Sequence, residues 1–364
     1  MDGQQTLSAS SPAARALHFP ADHRNPYQHL LLDALSRSGF PSALSSTNSV
    51  RQQLRSGDPP VVTHLHWLPR GFFGPRNLLE FFRVRQVVRA AASRSILIWT
   101  AHNLYAHESR NRRRERWLAK AVLAAAHGVI VHSAEGERMV RAEFRPSADK
   151  PFAVIPHGNY IGCYPNFVSA AEARRQLNLH PADRVLLFLG TIRPYKGVPE
   201  ALAAFRDIPD PNARLLVAGL PDSEKTRTML ERMAARDARV ILRLEFVADD
   251  ALQVYMNAAD AVLLPYLDVM TSGAAVLAMS FGRPCIAPRS GCIPEFLSAQ
   301  PEFLYDPRDE QGLTSAIRHT LQEPQRFSRA GELNLQRARE WDWDRVATET
   351  VDFYRKSGAT LAPH

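Results

Sequence analysis

Short apolar runs alternate with longer helical patterns along most of the chain, in two successive series. The first series predicts strands at 15–19, 61–67, 95–103, 128–133 and 152–158. The second predicts strands at 184–190, 214–219, 239–246, 260–266 and 283–288. Between them lies 158–169, a segment broken by Gly, Pro and Asn that is typical of a linker. Strands that alternate with helices favour parallel sheets covered by helices on both faces.

Two such series in 364 residues predict an α/β protein with two Rossmann-like, doubly wound domains that face a cleft. We expect residues 1–14 to form a disordered lead-in, 15–164 an N-terminal domain and 165–340 a C-terminal domain. In open sheets of this kind, ligands bind at the carboxyl ends of the strands. The residues that follow each predicted strand are therefore the first candidates for function.

The composition excludes several classes of protein. No run of about 18 apolar residues is present, so a membrane-spanning helix is not expected. The first residues lack the basic region and apolar core of a signal peptide. Cys163, Cys285 and Cys292 have no CxxC spacing, which argues against a disulfide framework or a zinc site. A cytoplasmic location is the resulting expectation.

Charge is distributed unevenly along the chain. Residues 1–167 contain 21 Lys or Arg and 11 Asp or Glu, a net charge of +10. The remaining residues contain 24 and 26, a net charge of −2. A basic half indicates an anionic partner, which leaves nucleic acid, acidic lipid and a diphosphate-bearing acceptor open. An Arg-rich coding bias explains the excess equally well, since only five of the 45 basic residues are Lys.

The stretch 187–205 places two cations between a predicted strand and a predicted helix. Gly190 ends the strand, Arg193 and Lys196 lie in the loop, and Gly197 lets the chain turn into the helix. Arg grips two phosphate oxygens at once, while Lys acts as a compact charge beside the helix N-terminus. This pattern is typical of a diphosphate site, although a solvated loop accounts for the same charges.

A second candidate is the helix predicted from Gly273 to Phe281, which begins directly after Thr271 and Ser272. The unpaired N–H groups and partial positive charge of a helix start suit phosphate. A Ser or Thr that only caps a buried helix is the alternative interpretation.

These segments resemble a known family in their order. GTIRPYKG, DAVLLPY, TSGAAVLAMSFGRPCIAP and SGCIPEF are similar to motifs of the C-terminal domain of GT-B-type, family-4-like glycosyltransferases, over nearly all of 183–357. The N-terminal half matches in architecture and in strand-end motifs such as HLHW and TAHN. Together with IRPYKG and TSGA, these motifs resemble bacterial exopolysaccharide glycosyltransferases, including xanthan-type mannosyltransferases.

The resemblance implies that the C-terminal domain binds a nucleotide sugar, with GDP-mannose the first candidate and UDP-glucose the second. The N-terminal domain would bind the acceptor, and the helix at 341–358 would cross back to complete that domain. Lys196 matches the family's phosphate-binding lysine; Thr191 stands where the family has arginine, so Arg193 is the expected substitute. Glu295 matches the family's acidic turn residue. The implied donor-binding residues are Gly190, Thr191, Arg193, Lys196, Gly197, Asp268, Thr271, Ser272, Gly273, Ala274 and Glu295.

The sequence departs from the family at a pair of glutamates separated by seven residues, which contact the donor sugar and the ribose in retaining members. Val269 and Leu277 occupy those positions here, and Asp268 is one residue out of register. Inversion is therefore slightly favoured. No acidic pair follows a strand as a metal site would require, so neither a metal nor another cofactor is expected.

An inverting transfer needs a general base, and His102 at a predicted strand end suits that role, with Glu108 and His107 as the other candidates. A hydrogen-bonded structural histidine is the alternative for His102. His64, His66 and His157 are expected to be structural.

A cluster of arginines precedes an apolar helix in the N-terminal half: Arg110, Arg112, Arg113, Arg114 and Arg116, followed by Trp117. This pattern, with the aromatic and basic segment 72–85, indicates a lipid-linked or glycan acceptor and an anionic membrane at the inner face of the cell. An ordinary solvated helix is the alternative. Two other functions stay open. One is a basic nucleic-acid-binding protein, which is weakened because the sequence has no recognisable RNA-binding module. The other is a catalytically inert GT-B scaffold.

Overall fold

The computed structural model describes residues 15–68, 75–105, 112–323 and 325–359. The first half forms a six-stranded parallel sheet with the strand order β2-β1-β3-β4-β5-β6. Its strands are β1 (Ala16–Phe19), β2 (Ser42–Leu44), β3 (Val62–Leu65), β4 (Ile96–Thr100), β5 (Gly128–Val131) and β6 (Phe152–Val154). The helices between them are α1 (Pro26–Arg37), α2 (Thr47–Gln53), α3 (Pro75–Arg94), α4 (Arg112–Ala125) and α5 (Ala134–Phe144).

The second half forms another six-stranded parallel sheet, with the order β12-β11-β10-β7-β8-β9. Its strands are β7 (Arg184–Leu189), β8 (Ala213–Ala218), β9 (Val240–Arg243), β10 (Ala261–Leu263), β11 (Cys285–Pro288) and β12 (Leu304–Tyr305). The helices are α6 (Ala170–Gln176), α7 (Val198–Arg206), α8 (Glu224–Ala234), α9 (Leu252–Ala258), α10 (Gly273–Ser280), α11 (Ile293–Phe296), α12 (Gly312–Gln322), α13 (Gln325–Arg339) and α14 (Trp343–Lys356).

The last helix, α14, returns to the first sheet. It packs against α1, and the Tyr354 hydroxyl lies 2.6 Å from Nδ1 of His64 on β3. At its start, the Trp343 indole donates to the Asn159 carbonyl in the linker at 2.6 Å. The return buries the apolar face of α14 on the first sheet, as the resemblance implied.

The strand and helix pattern explains the fold well, with three omissions. β2, α2 and the two-residue β12 were not predicted, because short edge elements bury few residues and leave no periodic pattern. The segment 75–94, taken only as aromatic and basic, is the 20-residue helix α3. Within the described residues, no helix is both long and apolar enough to cross a bilayer.

Candidate active site

The loop after β7, which we call the phosphate loop (residues 190–197), is held beside the end of β10. The two strands are neighbours in the sheet, and the Leu267 N–H donates to the Tyr195 carbonyl at 2.8 Å. Gly197 has φ = 68°, and a Cβ there would lie 1.9 Å from the Pro265 carbonyl oxygen. Only glycine fits this turn, so the tight approach of the loop to β10 depends on it.

Lys196 lies within this loop, next to a glycine and an aromatic ring. Its Nζ lies 3.3 Å from where a Cβ on Gly190 would be and 5.9 Å from the centre of the Phe188 ring. Among the described residues, no carboxylate forms an ion pair with it. Burial, and then the nearby charge of Arg193, lower the pKa of Lys196 to about 8. A partly desolvated ammonium of this kind is suited to an anionic ligand.

The start of α10 follows the neighbouring strand β10 along the chain, after the connecting segment 264–272. Ser272 caps the helix: its Oγ accepts from the Ala275 N–H at 3.1 Å and lies 3.1 Å from the Tyr266 hydroxyl. The side chain is only 4% exposed. The Ser272 oxygen is thus buried and bonded within the protein, and a role of Ser272 in donor binding stays a prediction. The backbone N–H groups of the first turn keep the anion-binding character of a helix start.

The linker residue Tyr160 and His157, just before the linker, face this helix start. A Cβ on Gly273 would lie 3.4 Å from the Tyr160 hydroxyl and 3.9 Å from Nε2 of His157. His157 Nδ1 lies 3.1 Å from the Gly158 carbonyl, so Nδ1 carries the proton and Nε2 keeps its lone pair. Sequence reasoning had treated His157 as structural; its position directly after β6, at the carboxyl edge of the sheet, was the available signal.

The positions that carry glutamate in retaining relatives contribute no carboxylate here. Val269 is buried and Leu277 is partly buried. Asp268, next to Val269, is exposed. Thr271 Oγ1 lies 3.7 Å from the Cys292 sulfur, and Thr191 is exposed.

Glu295 contacts the opposite half of the molecule. Its carboxylate accepts from the backbone N–H groups of Ala134 at 3.0 Å and Glu135 at 2.5 Å, at the N-terminus of α5. The resemblance had placed Glu295 among the donor-binding residues. Each carboxylate oxygen accepts one hydrogen bond from the helix start, which favours a negative charge, and a role of Glu295 in donor binding stays a prediction.

A second contact between the halves lies beside Glu295. Ser133, the N-cap of α5, donates to the Cys292 sulfur at 2.7 Å, and the Cys292 N–H donates to the Met270 carbonyl at 2.8 Å. The residues just before α10 are thereby tied through Cys292 to α5. The position of the helix start depends on contacts with the first half.

The carboxyl edge of the first sheet carries a row of buried histidines, which we call the histidine array: His18, His66, His102 and His132. His18 Nδ1 lies 2.9 Å from His66 Nε2, His66 Nδ1 lies 3.3 Å from His102 Nε2, and His102 Nδ1 lies 3.1 Å from His132 Nε2. The row ends at His132 Nδ1, 2.9 Å from the Ile155 carbonyl. Four imidazoles thus form one continuous chain of hydrogen bonds.

The Ile155 carbonyl fixes the tautomer of every ring in the array. A carbonyl only accepts, so His132 must carry its proton on Nδ1 and accept on Nε2. Because each Nε2 in the row accepts from the Nδ1 of the preceding ring, His102, His66 and His18 also carry their protons on Nδ1. Burial lowers the pKa of His18 and His132 to about 3, and burial with neighbouring histidines lowers those of His66 and His102 well below 6.5. All four rings are neutral near pH 7.

At the far end, His18 Nε2 is buried and has no hydrogen-bond partner within the described part of the chain. His18 and His66 also approach His64, and one nitrogen of each lies within 4.8 Å of the others, a spacing compatible with a metal. However, Tyr354 and Thr100 occupy both nitrogens of His64, and His66 is bonded on both sides. These contacts describe a hydrogen-bonded core rather than a set of free ligands.

His102 lies in the middle of the array, with Trp67 stacked on its ring at a centroid distance of 4.7 Å. It is 6% exposed. The contact of His102 Nε2 with His66, at 3.3 Å, is the longest in the array, so this nitrogen is the one held most weakly. Of the other candidate bases, Glu108 and His107 lie outside the described residues.

The predicted arginine cluster begins α4, and Arg110 lies outside the described residues. Arg112, Arg113, Arg114 and Arg116 are exposed. Arg116 pairs with Glu143 at 2.8 Å, and the Arg112 guanidinium lies over the Tyr105 ring at 5.5 Å. Trp117 is 46% exposed beneath the guanidinium of Arg85. The described part of the cluster is therefore exposed to solvent at the start of α4.

Comparison with known proteins agrees with this geometry. The family model described as glycosyl transferases group 1 matches residues 183–323. GDP-mannose:glycolipid 4-beta-D-mannosyltransferase of Xanthomonas campestris pv. campestris is 29% identical over 330 residues, covering 86% of this chain and 85% of the relative.

Solved structures share the fold over nearly the whole chain. Sucrose-phosphate synthase from Thermosynechococcus elongatus superposes with a TM-score of 0.73 at 20% identity, covering 94% of this chain and 98% of its own. HepE of Anabaena, in complex with UDP, also has a TM-score of 0.73, at 16% identity and with coverage of 94% and 99%. The chain is therefore a glycosyltransferase with the GT-B fold, and residues 183–323 form its group 1 glycosyl transferase domain.

Proposed function

We propose that this protein transfers a hexosyl group from a nucleotide diphosphate sugar to a lipid-linked or other glycan acceptor, in polysaccharide or glycolipid synthesis. The observation that carries the proposal is the Lys196 ammonium, which has no countercharge among the described residues and lies at the strand end next to the α10 start. GDP-mannose is the first donor candidate, because the Xanthomonas relative is named for it. UDP-glucose is the second, since HepE binds it.

In this proposal the diphosphate lies between the phosphate loop and the first turn of α10. Arg193 and Lys196 supply positive charge, and the backbone around Gly190, Thr191, Gly197, Gly273 and Ala274 allows close approach. Thr271 and Asp268 are the side chains left for polar contacts with the donor. Cations and a helix start stabilise a departing diphosphate without a metal, so the proposal needs none.

The acceptor hydroxyl would be deprotonated by His102, with Glu108 as the other candidate. An acceptor hydroxyl that takes the place of His66 at Nε2 of His102 would meet a lone pair that can accept its proton. His132 would share the resulting positive charge of His102 through the 3.1 Å hydrogen bond. We propose inversion, because Val269 and Leu277 leave no carboxylate at the positions used by retaining relatives.

We further propose that the exposed arginines and Trp117 of α4, with Phe82 of α3 that is 47% exposed, hold the protein at an anionic membrane surface. Basic side chains near such a surface each contribute about 1 kcal/mol. A lipid-linked acceptor would then be reached without a membrane-spanning segment.

One set of measurements tests the donor site and the base together. We expect GDP-mannose or UDP-glucose to raise the thermal midpoint of the wild-type protein. An Arg193→Ala, Lys196→Ala double variant should bind the donor at least about 30-fold more weakly, since two charge-assisted contacts are lost. His102→Gln should keep donor binding and lose transfer to acceptor lipid by about 10²–10⁴-fold. The exposed His29→Gln is the matched control and should do neither.

The same measurements separate the alternatives. Donor binding with no transfer to any acceptor would favour the inert scaffold. Salt-sensitive binding to oligonucleotides without sugar-nucleotide affinity would favour a nucleic-acid-binding protein, which the comparisons do not support. Undiminished donor affinity in the double variant would contradict the proposed position of the diphosphate.

A further inference from the structure

His157 lies where the two halves of the molecule meet, directly after the end of β6 and facing the start of α10. It is 6% exposed. Its ring packs against Tyr27 at a centroid distance of 4.8 Å, His132 at 5.2 Å and Tyr160 at 5.8 Å. His157 is therefore buried between residues of the first half, the linker residue Tyr160 and the start of α10.

The orientation of its ring is set by one hydrogen bond. Nδ1 donates to the Gly158 carbonyl at 3.1 Å, which leaves Nε2 as an acceptor. Nε2 points at the α10 start, 3.9 Å from where a Cβ on Gly273 would be, and no described residue supplies a hydrogen bond to it. The lone pair of this buried ring thus lies beside the first turn of α10, whose backbone N–H groups favour an anion.

An anion at the α10 start would contact both groups in different ways. The helix N–H groups donate to it directly. A neutral Nε2 would repel it with its lone pair, whereas a protonated Nε2 would donate a third hydrogen bond with a full positive charge. The geometry therefore favours protonation of this ring only when the anion is present.

We propose that His157 is a proton-carrying ligand of the donor diphosphate, whose Nε2 takes up one proton from solvent as the donor binds and donates a hydrogen bond to a phosphate oxygen. The inference rests on the proposed function and adds a residue and a proton to it. After transfer, the imidazolium neutralises part of the charge on the departing nucleoside diphosphate. The proton returns to solvent when that product leaves.

The surroundings of His157 set the pH at which the proton is taken up. In the free protein, burial lowers the pKa of His157 to about 4. The groups that face the ring from the neighbouring elements are Tyr27, Tyr160 and His132, with His102 beyond, and all are neutral near pH 7. A nearby anion raises the pKa of a histidine by about 1 to 3 units. Since binding raises the pKa, protons are taken up and the donor binds more tightly as pH falls.

Titration calorimetry in buffers of different ionisation enthalpy measures the uptake. The donor is GDP-mannose or UDP-glucose, because a diester phosphate lacks the ionisation near pH 6 that a monoester would add. At pH 6.5 we expect uptake of about 0.2 to 0.8 proton per bound donor, which corresponds to a rise of about 2 to 3 units in the pKa of His157 next to the two phosphate charges, to about 6 to 7. Lys196, with a pKa of about 8, is almost fully protonated at pH 6.5 and adds little.

A His157→Gln variant should lose the uptake at pH 6.5 and keep an uptake of about half a proton at pH 8, where Lys196 is half neutral. His29→Gln should match the wild type at both pH values. Uptake by the wild-type protein only at pH 8 would overturn the role of His157 while leaving the donor site intact. Absence of donor binding at both pH values would overturn the proposed function and this role with it.

Discussion

His18 is the residue of the histidine array whose hydrogen bonds are least complete, and it is fully buried. Its Nε2 has no partner among the described residues, and an unsatisfied buried polar atom costs about 1–3 kcal/mol. The other rings of the array are satisfied only while each stays neutral with its proton on Nδ1. The carboxyl edge of the first sheet is therefore stable in one protonation state.

This arrangement predicts a protein that loses stability in mild acid. Burial lowers the pKa values of His18 and His132 to about 3, below the 6.5 expected in the unfolded chain. Between these values the unfolded chain binds more protons, so stability falls as pH drops below about 6.5 and is constant above it. We expect the free energy of unfolding to fall by at least about 2 kcal/mol between pH 8 and pH 6.

Urea unfolding at each pH measures this decline. A variant with one ring fewer, His18→Asn, should show a shallower dependence on pH than the wild type, whereas the exposed His29→Gln should keep the wild-type slope. A flat profile from pH 8 to pH 6 would show that the rings are hydrated or already charged in the folded protein.

The sequence showed which residues lie at strand ends, but it did not show which residues they contact. The sequence placed His102 and Lys196 after strands because apolar runs end just before them. That His102 would be bonded to two other histidines depends on β3, β4 and β5 lying side by side in the sheet. Strand order is not encoded locally, so His157 and the array could not be recognised as one network.

At the scale of elements, α5 and α11 form the main polar contact between the halves. The Glu295 carboxylate accepts from the first two N–H groups of α5, and Ser133 of the same turn bonds to Cys292. Burial raises the pKa of the Cys292 thiol, so it remains a neutral partner. This contact fixes the residues before α10 relative to the first sheet, and with them the proposed phosphate site.

Removing the charge of Glu295 should loosen this contact. Glu295→Gln keeps the shape but retains only one acceptor oxygen and loses its favourable interaction with the helix N-terminus. We expect a loss of about 1–2 kcal/mol in the free energy of unfolding and a larger radius of gyration in X-ray scattering of the free protein. Glu310→Gln, at an exposed position in the same half, is the control.

Donor binding should partly restore the compact form of the Glu295 variant, since the proposed diphosphate site includes the α10 start, whose position depends on the contact with α5. An unchanged radius together with unchanged stability would mean that other contacts hold the halves together, and that Glu295 does not position α10. The motif SGCIPEF identified this residue in the sequence, but a motif cannot show which of two facing surfaces its carboxylate contacts.

At the scale of the whole molecule, α14 explains why the two halves are not independent. Its Tyr354 hydroxyl completes the hydrogen bonds of His64, and Asp344 pairs with Arg37 of α1 at 2.7 Å. The sequence predicted an amphipathic helix at this position, and only the family resemblance indicated where it would pack. Its destination is a tertiary property that periodicity alone does not specify.

The basic half of the molecule carries the last prediction. Its net charge of +10 in residues 1–167 contrasts with −2 in the rest, and α4 presents Arg113, Arg114 and Trp117 outward. If this surface binds acidic lipid, the protein should float with vesicles containing anionic lipid at low salt. It should be released as salt screens the charges, and it should not float with neutral vesicles.

An Arg113→Gln, Arg114→Gln variant should bind these vesicles about 10- to 30-fold more weakly, since each basic residue near the surface contributes about 1 kcal/mol. Arg232→Gln at the end of α8, combined with Arg236→Gln in the turn that follows, removes the same charge from exposed positions of the second half and serves as the matched control. Equal weakening by both pairs would show that net charge alone drives adsorption. Equal flotation with neutral and anionic vesicles would contradict the membrane role and favour coding bias as the cause of the arginine excess.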